Sequence, residues 1–91
     1  MGAVTETIRD KLSQAFSPDR LEIKDDSDRH HGHSGAREGG ESHFNVVIEA
    51  AAFKGLNRVQ RQRAIYAALK DELAGPIHAL SLVVLAPGEE P

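Results

Sequence analysis

The chain has 91 residues, no cysteine, and 11 basic against 14 acidic side chains, which gives a formal net charge of -3. This length predicts one domain over residues 1–91, near the lower limit for burying an adequate core without disulfides. The charge excludes a global attraction for phosphate backbones, and the composition excludes thiol chemistry. No apolar run approaches the roughly 20 residues of a membrane span, and the first residues lack the apolar core of a signal peptide. We therefore expect a cytoplasmic protein.

The first sixteen residues predict an amphipathic helix. Apolar side chains recur there every three to four residues, at Val4, Ile8, Leu12, Ala15 and Phe16. Ser17-Pro18 should end this helix, because the residue before a proline is driven out of the helical region.

A short strand and a long loop should follow. Leu21 and Ile23 alternate with charged residues, which is typical of a strand with one buried face. Residues 25–41 are polar, glycine-rich and aperiodic, and they contain His30, His31 and His33. A loop of this length in a small domain indicates either function or disorder.

After the loop, Phe44, Val46 and Ile48 alternate with polar residues and predict a second strand, paired with the first. A long helical stretch should follow, kinked or split near residues 58–61 and ended by Gly75-Pro76. Its apolar markers are Leu56, Val59, Ile65, Tyr66, Leu69 and Leu73. Residues 77–85 are apolar on both faces and predict a third strand, either buried between neighbours or at an edge that faces a partner. Residues 86–91 should form a frayed tail.

This order of elements predicts an α+β fold with a three-stranded mixed sheet. The first two strands should form a hairpin, and the last two should run parallel through a right-handed helical crossover. We expect helices on one face of the sheet, where the apolar residues of the first two strands should share a buried layer with Leu12, Tyr66 and Leu69. The other face should stay partly open to a partner or ligand.

The histidines and arginines carry the candidate chemistry, and each has a simpler interpretation. Imidazole is the commonest neutral metal ligand, but loop histidines are also often solvated or bind zinc or nickel adventitiously. On spacing alone, His78 and His43 are more typical of hydrogen-bonded structural residues, with His43 fixing the end of the loop. Arg58, Arg61 and Arg63, with Lys54, form either a solvated helix face or a docking site for an acidic partner or phosphates.

Nothing in the sequence favours an enzyme. There is no G-x-S-x-G turn and no phosphate-binding loop, and Asp25, Ser27 and His30 belong to a loop that offers no rigid scaffold for a triad. We therefore expect a binding module without catalytic residues.

Four segments together resemble the BolA family: LEIKDDSDRH, GGESHFNVVI, the helical FKGLNRVQRQRAIYAALKDEL and the closing IHALSL. The resemblance implies an αββααβ domain, similar to the type II KH fold, that works with a monothiol glutaredoxin and glutathione. It also implies that a histidine opening the last strand and a histidine or cysteine in the hairpin loop bind a [2Fe-2S] cluster shared with the glutaredoxin. The matching residues are His78 and His30, with His31 and His33 competing for the loop position. The isolated chain should then be a monomer without a cluster.

One position departs from the family pattern, and two alternatives stay open. The R-H-R that is common in the family's helix reads Arg61-Gln62-Arg63 in this chain. The first alternative is a KH-like transcriptional regulator that binds nucleic acid. Residues 32–35 do spell the G-x-x-G of KH domains, but within the strand hairpin and not between helices. The second alternative is a structural partner of the glutaredoxin that shares no metal.

Overall fold

The computed structural model describes residues 2–25 and 43–90. In chain order, the elements are α1 (Ala3–Phe16), β1 (Arg20–Asp25), β2 (His43–Glu49), a 3-10 turn (Ala51–Phe53), α2 (Arg58–Ala68), α3 (Lys70–Ala74) and β3 (Ala79–Leu85). The predicted αββααβ order is confirmed.

The strands form one mixed sheet in the order β1-β2-β3. β1 pairs antiparallel with β2, and Ile23 lies opposite Val46. β3 pairs parallel with β2, and Phe44 lies opposite Leu80. Within the described residues β3 is therefore an edge strand, as in the second of the two predicted alternatives, and the first alternative, a strand buried between two neighbours, is wrong.

The core lies on one face of the sheet. Along β2 the buried side chains are Phe44, Val46 and Ile48, and the helices supply the rest of the layer from α1, α2 and the connections around them. Leu21 and Ile23 are partly buried against this cluster. The predicted one-sided arrangement of the helices follows from this alternation, because successive residues of a strand point to opposite faces.

The C-terminal end of α1 and the burial of its apolar residues agree with the sequence pattern, except at one residue. The helix ends where Ser17 adopts a left-handed conformation with φ 46° and donates its backbone N–H to the Ser13 carbonyl. Ile8 and Leu12 are fully buried, whereas Ala15 is exposed. Lys11 joins this helix to α3 through an ion pair with Glu72, with 2.8 Å between Nζ and Oε2.

The predicted buried layer included one wrong residue. Tyr66 is 43% exposed, and its neighbour Ile65 is buried instead. Ile65 lies four residues before the buried Leu69, so the two share one face of the helix. Tyr66, one position further along the helix, is turned outward.

The break in the second helical stretch also lies at a different position from the one predicted. α2 begins at Arg58 behind a capping box, in which the Asn57 side chain accepts from the Gln60 N–H and the Gln60 side chain accepts from the Asn57 N–H. The break comes at Leu69, with φ -107° and ψ 21°, between α2 and α3. Residues 58–61 are thus a well-capped helix start, and α3 ends before Gly75 as predicted.

The segment expected to be a frayed tail is held against the domain as far as the structure describes it. Ala86 is buried, and the backbone N–H of Glu89 donates to the Ala86 carbonyl in a turn. The Glu89 carboxylate then binds Arg61, so these contacts anchor the segment that follows β3.

Candidate functional site at the two ends of the last strand

The first candidate site is a pair of histidines at the end of the sheet where β3 begins. His43 is the first residue of β2, and His78 directly precedes β3. The two imidazole rings are stacked, with their centroids 6.4 Å apart and their planes at 18°. His78 is exposed and His43 is half-buried, so the pair is accessible from solvent.

The parallel register of β2 and β3 produces this pairing. His43 lies opposite Ala79, which brings the residue before Ala79 alongside the start of β2. On the other side of β2, Asp25 lies opposite Phe44. Asp25, which was predicted to open the histidine loop but ends β1 instead, therefore lies at the same end of the sheet as His43 and His78.

The loop histidines His30, His31 and His33 lie outside the described residues, so their predicted ligand roles stay predictions. Across residues 2–25 and 43–90, no group of three or more histidine, aspartate or glutamate side chains is placed to hold a metal ion. The structure thus brings two imidazoles, those of His43 and His78, to this end of the sheet, and the predicted ligand role of His78 also stays a prediction.

The second candidate site is at the opposite end of β3 and is centred on Arg61. Its Nε donates to the Leu56 carbonyl at 3.0 Å, and its Nη1 donates to the Val84 carbonyl at 3.0 Å. The same guanidinium binds the two carboxylate oxygens of Glu89 at 2.6 and 3.0 Å. Bidentate arginine–carboxylate pairs are among the stronger charge-assisted hydrogen bonds, so this arginine fixes the segment after β3 to α2.

The electrostatics of Glu89 agree with this geometry. The hydrogen bond from Arg61, and then the backbone N–H of Ala86, lower the pKa of Glu89 from 4.5 to about 2. Its carboxylate is therefore charged throughout the neutral range and competes for the guanidinium that we had assigned to a partner.

The three arginines predicted to act together differ in what they contact. Arg61 is only 14% exposed and is committed to contacts within the chain. Arg58 and Arg63 are exposed, and within the described residues neither makes an ion pair. The structure therefore leaves two of the three predicted arginines available on the surface of α2.

An apolar stripe accompanies the exposed arginines. Val59 and Tyr66, at 55% and 43% exposure, are the exposed large hydrophobic residues of the described part of the chain. Arg63 lies four residues after Val59 and three before Tyr66, so all three share one side of α2. This combination of apolar and basic groups is a more specific surface than the basic cluster alone.

The two candidate sites are well separated. Val84 lies six residues along β3 from His78, which corresponds to about 20 Å of extended chain. α2 starts beside the Val84 end and leads through α3 back to His78, so it runs in the opposite direction to β3. Arg58 is thus nearer to the Arg61 site, and the end of α2 is nearer to the histidines.

Comparison with known proteins decides the family. The sequence profile of the family described as BolA-like protein matches residues 12–89. The chain belongs to the BolA family. It is similar to an uncharacterised protein in the cobS 5' region of a Sinorhizobium species, with 49% identity over 96% of the chain and 95% of that protein. It is also similar to the DNA-binding transcriptional regulator BolA of Haemophilus influenzae, with 39% identity over 96% of the chain and 81% of that protein.

The similarity to a solved structure covers the whole domain. The BolA domain of SufE1 from Arabidopsis thaliana superposes with a TM-score of 0.86, at 42% identity and over 99% of both chains. This BolA structure confirms the α+β fold with its mixed sheet. The chain spans 62% of the length of the BolA-like protein 1 of Pongo abelii. Within the described residues, no helix is long and apolar enough to cross a membrane.

Sequence reasoning missed two contacts at these candidate sites. His43 was interpreted as structural, and only the register of β2 against β3 shows that it stacks on His78. Glu89 lies in the segment that we predicted to be a frayed tail. The only sequence signal of an anchored turn there is an acidic residue directly after Pro87-Gly88. In both cases the contact joins residues that are distant along the chain.

Proposed function

We propose that this BolA-family chain is an adaptor that forms a complex with a monothiol glutaredoxin and shares or receives a [2Fe-2S] cluster in iron–sulfur trafficking or iron regulation. The observation that carries the proposal is the His43–His78 pair, which lies at the same end of the sheet as Asp25, the last described residue before the histidine loop. The absence of cysteine supports a shared cluster, because the thiolates must then come from the partner and its glutathione.

In this proposal His78 and one loop histidine, His30 or His33, supply imidazole to the cluster. Histidine in place of thiolate on an iron of a [2Fe-2S] centre raises its reduction potential, as in Rieske centres. His43, whose ring is stacked on the His78 ring with 6.4 Å between the centroids, would limit the orientations that the His78 ring adopts. The chain would thereby change the potential and lability of the partner's cluster.

Docking is assigned to the exposed face of α2. Arg58 and Arg63 are available to an acidic partner surface, and Val59 and Tyr66 add apolar area beside them. Arginine and tyrosine are enriched among the residues that dominate binding energy at interfaces. Arg61, which we also predicted to bind the partner, contributes indirectly by anchoring the segment after β3.

The test is anaerobic reconstitution with a monothiol glutaredoxin, glutathione, iron and sulfide, followed by visible circular dichroism. The mixed complex should give a spectrum distinct from that of the glutaredoxin's own cluster-bridged dimer. His78→Ala should remove that spectrum while the fold survives, since this side chain is exposed. His30→Ala and His33→Ala should each have partial effects, because neighbouring loop histidines can substitute.

The controls separate ligation from docking. His43→Ala should leave a cluster that forms but is lost faster, as expected for an orienting residue. Arg63→Glu should slow association with the apo-glutaredoxin, more so at low salt, whereas Arg9→Glu, a charge reversal on α1, should not. A full spectrum in His78→Ala would refute the ligand assignment and favour a partner that shares no metal.

A second candidate function is binding to nucleic acid in a transcriptional regulator. The name of the Haemophilus relative favours it. The net charge of -3 and the commitment of Arg61 to Glu89 weaken it. Binding to duplex DNA that falls steeply as salt rises, and that Arg58→Glu and Arg63→Glu reduce, would support this function over the adaptor.

A further inference from the structure

A groove with a volume of about 440 Å³ lies between the start of α2 and the end of β3. Its helical wall includes Arg58, Arg61 and Gln62, and its other wall is the segment 82–85 of β3. Glu89 and Glu90 lie at its margin. The groove is separate from the His78 end of the sheet and is not used by the proposed cluster chemistry.

Arg61 is held in this groove by two backbone carbonyls in addition to Glu89. Its hydrogen bonds to the Leu56 and Val84 carbonyls fix the plane of the guanidinium, and the side chain is only 14% exposed. The remaining N–H groups point at the carboxylate of Glu89, which is 44% exposed at the rim. Glu89 thus occupies a pre-organised carboxylate site, and its departure would break the hydrogen bond from the Ala86 N–H but not the two bonds from Arg61 to backbone carbonyls.

The β3 wall of the groove offers backbone hydrogen bonds. The Val84 carbonyl faces Arg61, while the Leu85 carbonyl accepts from Ala50 at the end of β2. Because backbone groups of successive residues alternate in direction, Leu82 presents its N–H and carbonyl to the same outer side as Val84. In the described part of the chain, no strand lies on this side of β3.

We propose that this groove binds an extended peptide segment of a partner protein that carries a carboxylate, and that Glu89 is its built-in competitor. The extended backbone would add to the edge of β3 at Leu82, as in strand addition, and its carboxylate would replace Glu89 on Arg61. A peptide suits this groove better than DNA, because an extended peptide supplies both a backbone N–H and a carbonyl to the open edge of β3, whereas a phosphate backbone supplies no donor.

The experiment uses the full chain and a blocked seven-residue peptide of alternating threonine and valine with one central glutamate. Its control peptide has glutamine at the centre. Amide chemical shifts in two-dimensional NMR report the place of binding, and titrations of wild type and Glu89→Gln report affinity. If Glu89 holds the site closed for about nine-tenths of the time, its removal should strengthen binding about tenfold.

Three results together support the proposal: shifts at Leu82 and Val84, weaker binding of the glutamine peptide to the wild type, and tighter binding of the glutamate peptide to Glu89→Gln. Equal affinity for both peptides would overturn the carboxylate site. If neither peptide binds to the wild type or to Glu89→Gln, the groove is not a peptide-binding site and the proposal is overturned. A single-stranded oligonucleotide that shifts the same amides when the peptide does not would also overturn it, in favour of nucleic acid.

Discussion

The two consecutive residues Ile65 and Tyr66 provide a sharp test of how α2 packs. Ile65 is fully buried in the core, whereas Tyr66 is 43% exposed. Replacing a buried isoleucine by alanine costs about 2–5 kcal/mol, from lost burial and from the cavity that remains. Truncating a side chain as exposed as Tyr66 usually changes the free energy of unfolding by less than about 1 kcal/mol.

These costs are large compared with the stability of a domain of this size. Small domains unfold with about 5–15 kcal/mol, and in this size range each kcal/mol shifts the midpoint temperature by about 4–8 °C. Ile65→Ala should therefore lower the Tm by about 15 °C, and Tyr66→Ala by a few degrees at most. Urea unfolding followed by far-ultraviolet circular dichroism gives the matching free energies, provided that the slope with urea is unchanged.

The comparison has an outcome that would refute our description of the helix. If Tyr66→Ala costs as much as Ile65→Ala, the helix is rotated by one residue relative to the sheet, and Arg63 is not on its outer face. The docking surface proposed for α2 would then be wrong as well. A small effect of Tyr66→Ala on stability, combined with weaker binding to the glutaredoxin, would agree with both the packing and the docking.

Further predictions concern the sheet, the anchored turn and the helix start. Val46→Asp should abolish the cooperative thermal transition, because an unpaired carboxylate in the central strand costs several kcal/mol; a normal melting curve would mean that the strand faces are reversed. Glu89 has a pKa lowered from 4.5 to about 2, so its contribution to stability is present above pH 4.5 and is lost as the pH falls towards 2. Glu89→Gln should remove that part of the acid dependence in melting curves, and an unchanged profile would contradict the Arg61 contact. Asn57→Ala should cost about 1 kcal/mol of unfolding free energy in urea titrations, and a neutral result would mean that the capping box contributes little.

The fold could be predicted because each element has a clear period in the sequence. The alternation of Phe44, Val46 and Ile48 and the helical spacing of Ile8 and Leu12 each match the buried positions. The break at Leu69 could not be predicted, since Leu69 is an apolar residue with good helix propensity and no glycine or proline lies beside it. We placed the split near residues 58–61, where Asn57 and Gln60 instead signal a capped helix start.

The candidate site was less predictable, because its contacts depend on register and not on local pattern. The stacking of His43 on His78 follows from a parallel pairing whose register no short segment encodes. The pairing of Arg61 with Glu89 likewise joins α2 to the turn after β3. A sequence can indicate that three arginines lie close together, but only the packing shows that one of them is already occupied.

Because α2 and β3 run in opposite directions, the histidine pair and the Arg61 groove lie near opposite ends of α2. α2 starts at the Val84 end of β3 and leads back towards His78, so Arg63 and Tyr66 lie on the part of the helix that approaches the histidines. A partner that supplies thiolates beside His78 would meet this part of α2 before it meets Arg58. The groove at Arg61 would then remain accessible at the far end of β3. In the two proposals, a cluster-binding end and a peptide-binding groove therefore lie at opposite ends of β3, and Arg58 is the residue that both would share.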